Sequence, residues 1–316
     1  MQPEFQDGPD AASSVLPPLV CAVTANWNGL QDTIELVDSL LQQSYEHLEI
    51  VVVDNASDGN DADRLEERYG DRVTIVRNRT NLGCAGGYNS GIHYAQEHFD
   101  PQYVLVVNND VVCDAEMVAE LVKAASSQQG IGIVGPKIFY YDWNGRRDII
   151  WSAGGLIHRW GLKIHSQRGG GAEDSHEFDR MQEVDWTSGA AMLLTPAALR
   201  DAGYFNTRYF IGHEDIELCL KAAAAGHRIL YAPRARAWHK VGASARKVGI
   251  SYADPAAYYY LIQQTFPAHV YAYHLALFPL LLSRWAVLFL LRSRDRSQLR
   301  RFVLDIKRLL TRSGPT

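Results

Sequence analysis

The stretch Tyr103-Val-Leu-Val-Val-Asn-Asn-Asp-Val-Val112 constrains the fold of this chain more than any other. Its apolar run, rich in β-branched residues, predicts a strand buried on both faces inside a parallel sheet. Asn108, Asn109 and Asp110 then fall at the carboxyl end of that strand, the edge where open α/β sheets bind ligands. These residues fit two interpretations, a strand-ending turn and a set of oxygen ligands for a divalent cation that carries substrate phosphates.

Strands and helices alternate through the first part of the chain. Apolar runs at 19–27, 49–53 and 73–76 predict three strands, each followed by a polar turn and a helical pattern or its start. The second run ends in Asp54-Asn55-Ala-Ser-Asp-Gly59, a string of turn formers that predicts a loop at a strand end. Successive βα units of this kind predict an α/β fold with a parallel sheet and right-handed crossovers.

A glycine-rich segment from Asn78 to Gly91 follows the third predicted strand and precedes a helix expected from about Gly87 to Glu97. Its glycines, with the amino terminus of the helix, would allow a pyrophosphate to approach the backbone. A connection without any ligand explains the glycines equally well. The spacing matches neither GxGxxG nor GxxxxGK[ST], which disfavours a nicotinamide-dependent oxidoreductase and a P-loop enzyme.

The second half of the chain is built differently. A helix is expected from Asp114 to Ser127 and a strand from Gly132 to Tyr140, but between Asp142 and Asp185 many glycines, with Trp151 and Trp160, indicate hairpins and an exposed loop. Core packing is the common role of these tryptophans and of Trp186.

Two acidic residues, Glu214 and Asp215, open a predicted helix in the second half. Acidic residues complement the helix dipole at that position, which is a sufficient structural explanation. A carboxylate held at a helix start beside a cleft can also serve as a general base. A strand is predicted at 228–232 and a further extended piece at 235–240, which contains His239. A histidine that stands alone in a sequence is more often packed than a ligand.

Composition limits the possible partners. The formal net charge of −5 gives no reason to expect nucleic acid, and the 47% hydrophobic content is typical of a globular protein. Four cysteines without CxxC spacing predict neither a zinc site nor a disulfide framework, and a reducing cytoplasm is the simpler inference. The first eighteen residues have neither a basic start nor an apolar core, so we expect a flexible arm at 1–18 rather than a signal peptide.

The carboxyl-terminal segment combines an apolar run with a basic tail. Leu275 to Leu291 contains Pro279 and Arg284 and is short for a membrane span, while Arg292 to Arg312 contains eight Lys or Arg and two acids. We expect a helical segment that lies on an anionic membrane surface. The alternative is a helix buried against the catalytic domain or against a partner in a homo-oligomer.

Five motifs occur together in a characteristic order. They are Thr24-Ala-Asn-Trp-Asn-Gly29, Val53-Asp-Asn-Ala-Ser57, Asn81-Leu-Gly-Cys-Ala-Gly-Gly-Tyr-Asn-Ser-Gly91, Asn108-Asn-Asp110 and His213-Glu-Asp-Ile-Glu-Leu-Cys-Leu-Lys221. The ordered set resembles family 2 glycosyltransferases of the GT-A fold, especially the rhamnosyltransferase-like and galactofuranosyltransferase-like branches. The resemblance implies a Rossmann-like, mostly parallel sheet with flanking helices at 19–245. Within that domain 19–112 would be the nucleotide-binding half and 113–245 the acceptor half, with a helical, basic extension at 246–316.

The resemblance also implies a role for each matching residue. Asp215 corresponds to the catalytic base, with Glu214 second, and Asp110 with His239 to the ligands of a divalent cation, Mg²⁺ or Mn²⁺. The positions that correspond to the nucleotide site are Ala25, Asn26, Asp54, Asn55, Asn81, Gly83, Gly86, Gly87, Asn108 and Asn109. Trp186, Gly189 and Ala190 correspond to the segment that borders the donor and acceptor sugars.

The function implied is metal-dependent, inverting transfer of a sugar from a nucleotide sugar to a glycan or polyprenyl-linked acceptor at the cytoplasmic face of a membrane. dTDP-rhamnose is the first donor expected; UDP-galactofuranose or another UDP-sugar, and a noncatalytic sugar-nucleotide-binding scaffold, are the alternatives. Two departures weaken the transfer of roles. Asn-Asn-Asp replaces the family's Asp-x-Asp, and Tyr258-Tyr-Tyr-Leu-Ile-Gln-Gln264 lacks the Arg-Asn pair that often follows the aromatic cluster.

Overall fold

The computed structural model describes residues 16–241 and 255–292. Most of the expected flexible arm, the expected boundary at 245 and the basic tail beyond Arg292 therefore lie outside the described residues. The strands are β1 Val20–Asn26, β2 Leu48–Asp54, β3 Thr74–Arg77, β4 Tyr103–Val107, β5 Val111–Cys113, β6 Ile131–Tyr140, β7 Ile150–Ser152, β8 Gly155–Ile157, β9 His165–Gln167, β10 Gln182–Glu183, β11 Ala191–Leu194 and β12 Arg228–His239. The helices are α1 Leu30–Leu40, α2 Asp61–Tyr69, α3 Gly83–His98, α4 Met117–Ala125, α5 Pro196–Ala202, α6 Glu214–Ala224, α7 Pro255–Thr265 and α8 Ala268–Arg292.

One large sheet organises the chain, with the strand order β10-β12-β6-β11-β4-β1-β2-β3. β3, β2, β1 and β4 are mutually parallel, and β11 runs antiparallel between β4 and β6. β6 and β12 form a second, long parallel pair, and the short strands β5 and β7 add to these two. The predicted α/β class is confirmed, and the antiparallel β11 marks where the regular βα alternation ends.

Helices cover the sheet on both faces, as the apolar run at 103–107 predicts. On one face α1, α2 and α4 pack through residues such as Leu36, Leu65 and Met117. On the other, α3, α5, α6 and the carboxyl-terminal helices share a single apolar cluster. Between these layers the side chains of β4 from Val104 to Val107 are fully buried. Residues 108–110 follow this buried strand directly and therefore lie at the sheet edge.

The structure corrects two details of the prediction. α3 begins at Gly83 rather than near Gly87, so the glycines of this segment lie inside the helix, where Gly87 and Gly91 pack against the strands. The two extended pieces expected at 228–232 and 235–240 form one strand, β12, whose register shifts between Ala232 and Arg236. The predicted hairpins between Asp142 and Asp185 are present as β7 and the β8–β9 pair.

The two carboxyl-terminal helices pack against the rest of the described fold. The α7 residues Tyr259, Leu261 and Ile262 are buried in the main apolar cluster, and α8 joins them through Val270. The Tyr259 hydroxyl donates a 2.9 Å hydrogen bond to the carbonyl of His274. Among the described helices, none combines the length and the apolar character that crossing a bilayer requires.

Candidate active site

A cleft of about 220 Å³ opens at the sheet edge where β1 and β4 end. The loop after β4 forms its floor, the start of α6 and the segment before β11 form one wall, and the β7 and β9 region forms another. Ten of the residues predicted for the site line this cleft. They are Ala25, Asn108, Asn109, Asp110, Trp186, Gly189, Ala190, Glu214, Asp215 and His239.

The remaining predicted residues lie beside the cleft and hold its edges together. Asn26 is fully buried, and its side-chain amide donates to Asp54, Ser57 and Asp61 at 3.0–3.2 Å. Its oxygen accepts a hydrogen bond from the Thr33 hydroxyl at 2.8 Å. Asn26 therefore ties the end of β1 to the loop after β2, and this network fixes the position of the Asp54 carboxylate.

Asn55 holds the loop that leads into α3. Its amide nitrogen donates to Asn81 Oδ1 and to the carbonyl of Gly83, both at 3.0 Å. Its oxygen accepts from Asn78 and from the backbone of Leu82. Every polar atom of the Asn55 side chain thus has a partner within the protein, and these hydrogen bonds fix the conformation of the loop at 78–83.

The glycines of α3 allow the helix to lie close to the sheet. A Cβ on Gly87 would stand 2.9 Å from the Cβ of Ala25, and one on Gly86 would stand 2.5 Å from the Cβ of Leu82. Gly83 has a φ of +71°, and a Cβ there would be 2.6 Å from the carbonyl oxygen of Phe210. These neighbours belong to the chain itself, so the sequence signal attributed to ligand approach has a packing explanation.

Asp110 and His239 meet at the floor of the cleft. The β12–β5 pairing sets His239 opposite Val111, and this register brings His239 Nε2 to 3.0 Å from Asp110 Oδ1. Both side chains are buried. Burial by itself would raise the pKa of Asp110, but the neighbouring charges of His239 and Lys240 hold that pKa below its usual value.

These two side chains fit a divalent cation by a structural criterion. Asp110 Oδ1 and both ring nitrogens of His239 are buried atoms without an aligned hydrogen-bond partner, which is costly unless something else satisfies them. Carboxylate oxygen and imidazole nitrogen are both suitable ligands for Mn²⁺, and imidazole is the less usual one for Mg²⁺. Within 16–241 and 255–292, no third His, Cys, Asp or Glu completes a metal-binding cluster, so a bound cation would need further ligands from phosphate or water.

Asp215 stands at the opposite wall with its carboxylate held in place. Its Oδ2 accepts a 2.8 Å hydrogen bond from the backbone N–H of Gly189, and its Oδ1 accepts one from Ile216 at the same length. A Cβ on Gly189 would lie 3.2 Å from the Cβ of Asp215, so the glycine permits the close contact. Burial raises the pKa of Asp215, and the two N–H donors oppose that rise.

Glu214 precedes Asp215 but has a different environment. Its Oε2 is buried without a hydrogen-bond partner. Burial and the neighbouring charge of Asp215 raise the pKa of Glu214. Both oxygens of the Asp215 carboxylate accept a backbone N–H, whereas Glu214 Oε2 accepts none. A proton shared by this pair therefore belongs on Glu214 and leaves Asp215 ionised.

Several residues that line the cleft escaped the sequence analysis. The hydroxyl of Tyr88, in the glycine-rich motif, donates to Asn108 Oδ1. His165 of β9 contacts the ring of Trp186 edge to face at 5.8 Å between ring centroids, and burial lowers its pKa to about 4. Trp151, which the sequence analysis did name, also lines the cleft and packs edge-on against His239 with 4.5 Å between ring centroids. No local pattern marks His165, since its place in the cleft depends on how the hairpin folds back.

Comparisons with known proteins match most of the chain. The family model described as "Glycosyltransferase like family 2" matches residues 17–253. The chain is 30% identical over 238 residues to the uncharacterized protein y4gI of Sinorhizobium fredii, covering 72% of this chain and 25% of that protein. It is 26% identical over 210 residues to the N-acetylglucosaminyl-diphospho-decaprenol L-rhamnosyltransferase of Mycobacterium tuberculosis, covering 60% of this chain and 66% of that enzyme.

Solved structures show the same fold. The mannosyltransferase PcManGT of Pyrobaculum calidifontis, in complex with GDP-Man and Mn²⁺, superposes with a TM-score of 0.53 at 18% identity, over 95% of this chain and 89% of that one. GalNAc-T7, crystallised with UDP, GalNAc and Mn²⁺, gives a TM-score of 0.58 at 17% identity, over 72% and 44%. The expected GT-A fold is confirmed. The archaeal hexosyltransferase Agl10 of Haloferax volcanii matches at 27% identity, and the chain spans about half its length.

Proposed function

Because this chain belongs to glycosyltransferase family 2, we propose that it transfers a sugar from a nucleotide-sugar donor to an acceptor hydroxyl, with inversion at the anomeric carbon and with a divalent cation. One observation carries the proposal. Two groups that the reaction needs, the Asp110–His239 pair and the Asp215 carboxylate, line the same cleft. The pair supplies ligands for a cation, and the carboxylate supplies a base.

Asp215 acts as the general base. An acceptor hydroxyl must lose its proton as it attacks the anomeric carbon, and a carboxylate within hydrogen-bonding reach accepts that proton. The N–H groups of Gly189 and Ile216 orient the Asp215 carboxylate before the acceptor arrives. A single base and one direct displacement lead to inversion of the anomeric configuration.

Asp110 and His239 would hold the cation beside the donor diphosphate. A divalent cation, Mn²⁺ or Mg²⁺, supplies positive charge that stabilises the leaving nucleoside diphosphate. Tyr88 orients Asn108 at the same edge, and the Asn26 network holds Asp54 where the nucleobase is expected. The loop after β2 and the start of α3 complete the nucleotide side, with Asn81 and Gly83 at the turn.

The choice of donor and acceptor is based on the names of similar proteins. dTDP-rhamnose is the first donor we propose, because the mycobacterial relative is named a rhamnosyltransferase and its name includes a decaprenol-linked acceptor. A UDP-sugar such as UDP-galactofuranose is the second, and the relevant structural neighbours were crystallised with UDP or GDP-Man. A noncatalytic scaffold is disfavoured because both Asp110 and Asp215 are present in the cleft.

A donor screen tests the proposal. The purified chain is incubated with dTDP-rhamnose, UDP-galactofuranose, UDP-GlcNAc or GDP-mannose and Mg²⁺ or Mn²⁺, and released nucleoside diphosphate is measured with and without lipid-linked or soluble glycan acceptors. We expect one nucleotide sugar to be consumed in a metal-dependent way. If no donor is bound or turned over with metal present, the enzyme assignment is wrong.

One substitution tests the role of Asp215 in the cleft. We expect Asp215→Asn to lower acceptor-dependent kcat by about 10²–10⁴-fold while donor binding remains, because only the base is removed. Since burial raises the pKa of Asp215, the acid limb of kcat/KM in the wild type should lie above the ordinary aspartate range. The matched control is Asp71→Asn, an exposed carboxylate remote from the cleft, which should leave the rate and the pH profile unchanged. Wild-type turnover in Asp215→Asn would exclude Asp215 as the base.

A further inference from the structure

Next to the cleft, the outer surface of α8 is apolar over its first three turns. Val270, His274 and Phe278 recur at every fourth position and face the domain, where Phe278 packs edge-on against Tyr259 at 5.4 Å. The opposite side of the helix is exposed and uncharged. It consists of Ala268, His269, Ala272, Leu275, Ala276, Pro279 and Leu280. A helix surface facing water ordinarily carries charged or polar residues, so this composition indicates contact with something other than water.

The tip of the β8–β9 hairpin extends this surface. Trp160 is 58% exposed, and its ring stacks on His269 of α8 with 5.7 Å between ring centroids. The Tyr273 hydroxyl donates a 2.8 Å hydrogen bond to the carbonyl of Trp160, and the imidazole of His274 lies 3.1 Å from the carbonyl of Arg159. The hairpin tip is thus fastened to the helix, and Trp160 with Leu162 adds exposed apolar area to the same side.

The charged residues of the hairpin and of α8 themselves have one sign. The hairpin segment 150–172 contains Arg159, Lys163 and Arg168 and no acidic residue, in a chain whose net charge is −5. From 255 to 294 there is likewise no Asp or Glu, and the basic run of the sequence begins at Arg292, where α8 ends. Arg159 and Lys163 are both exposed. A second copy of this surface would bring like charges together, whereas an anionic bilayer complements them.

We propose that Trp160, Leu162 and the outer face of α8, with Arg159 and Lys163, form a docking surface for an anionic lipid bilayer. An exposed tryptophan between apolar and basic side chains matches the chemistry of the headgroup level of a membrane. The surface lies on the membrane without crossing it. The same hairpin carries His165 and Gln167 into the cleft wall, so docking turns that wall toward an acceptor anchored in the bilayer.

This orientation rests on the proposed use of a lipid-linked acceptor, but the docking itself is measured without any donor or acceptor. If the wild-type chain binds vesicles but transfers no sugar, the proposed function alone is wrong. If it transfers sugar to a soluble acceptor but does not bind vesicles, the docking surface alone is wrong.

The test is co-sedimentation of the full chain with vesicles of phosphatidylcholine alone or with roughly 30 mol % phosphatidylglycerol. We expect binding to the anionic vesicles and little to the neutral ones. Trp160→Ala should lower the partition coefficient about tenfold, and Leu275→Asn together with Trp160→Ala should lower it further. Arg159→Gln and Lys163→Gln should each lower it about fivefold at low salt.

Trp143→Ala is the matched control, because Trp143 is also exposed but lies in the Trp143–Arg146 turn and packs on Tyr140. It should bind vesicles as the wild type does, and thermal unfolding should show that all variants are folded. The proposal is overturned if anionic vesicles are not bound, or if binding is unchanged in Trp160→Ala with Leu275→Asn. It is also overturned if sedimentation equilibrium reveals a dimer that these substitutions dissociate.

Discussion

At the scale of single residues, the adjacent carboxylates Glu214 and Asp215 differ in protonation because their surroundings differ. Asp215 receives two backbone N–H groups, while Glu214 has a buried oxygen without a partner. The same burial therefore favours a neutral Glu214 and leaves Asp215 able to carry charge. Two adjacent acidic residues in a sequence do not by themselves show which carboxylate receives these backbone donors.

The raised pKa of Glu214 predicts how stability depends on pH. A protonated buried carboxyl stabilises the fold below its unfolded pKa, and that contribution is lost as pH rises through the folded pKa. Glu214→Gln keeps the neutral form at every pH. We expect its Tm to equal that of the wild type near pH 4 and to exceed it by about 5 °C near pH 8.5, measured by calorimetry. An equal or lower Tm at alkaline pH would show that Glu214 is ionised at no cost.

The buried pair at the cleft floor predicts how metal binding responds to mutation. His239→Gln removes the imidazole that meets Asp110, so we expect the affinity for Mn²⁺ in the presence of a nucleoside diphosphate to fall at least about tenfold. Electron paramagnetic resonance of free Mn²⁺ measures this without turnover. His98→Gln, an exposed histidine on α3, is the control. Unchanged Mn²⁺ binding in His239→Gln would show that His239 is not a ligand of the cation.

At the scale of elements, α3 lies on the sheet only because small residues face it. A Cβ on Gly91 would stand 2.4 Å from Val23 Cγ1 and 2.9 Å from Val53 Cγ2. We expect Gly91→Ala to lower the free energy of unfolding by about 1–3 kcal/mol, because the helix must shift away from β1 and β2. Urea unfolding measures the change.

Gly59→Ala provides the comparison, because its nearest neighbour would be Asp61 at 4.0 Å. That substitution should change the free energy of unfolding by less than about 0.5 kcal/mol. Equal effects at the two glycines would mean that α3 has room for a side chain at Gly91. Close packing would then not explain why α3 contains glycines.

At the scale of the whole molecule, the carboxyl-terminal helices share their core with the sheet. Leu261 and Ile262 of α7 are fully buried in the cluster that contains Val23 and Val106 of the central strands. We therefore expect Ile262→Ala to lower the free energy of unfolding of the entire described fold by about 2–5 kcal/mol. Near- and far-ultraviolet circular dichroism should report one coincident transition. Two separate transitions would instead support the independent segment at 246–316 that the sequence predicts.

The sequence by itself determined the class of the fold and several residues that line the cleft. The run at 103–107 is apolar on both faces, so it had to be a central strand with Asp110 at its end, and the ordered motifs named Asp215 as the candidate base. These signals are local, because periodicity and strand ends are written in neighbouring residues.

Only the tertiary structure decided which polar atoms meet. The β12–β5 register brings His239 to Asp110, and the folding of the hairpin brings His165 into the cleft and Trp160 against α8. It also decided that Asn26 and the glycines of α3 lie beside the cleft, where Asn26 fixes the neighbouring loop and the glycines allow close packing of the helix. Contacts between residues far apart in the chain depend on register and on close packing, which no local pattern specifies.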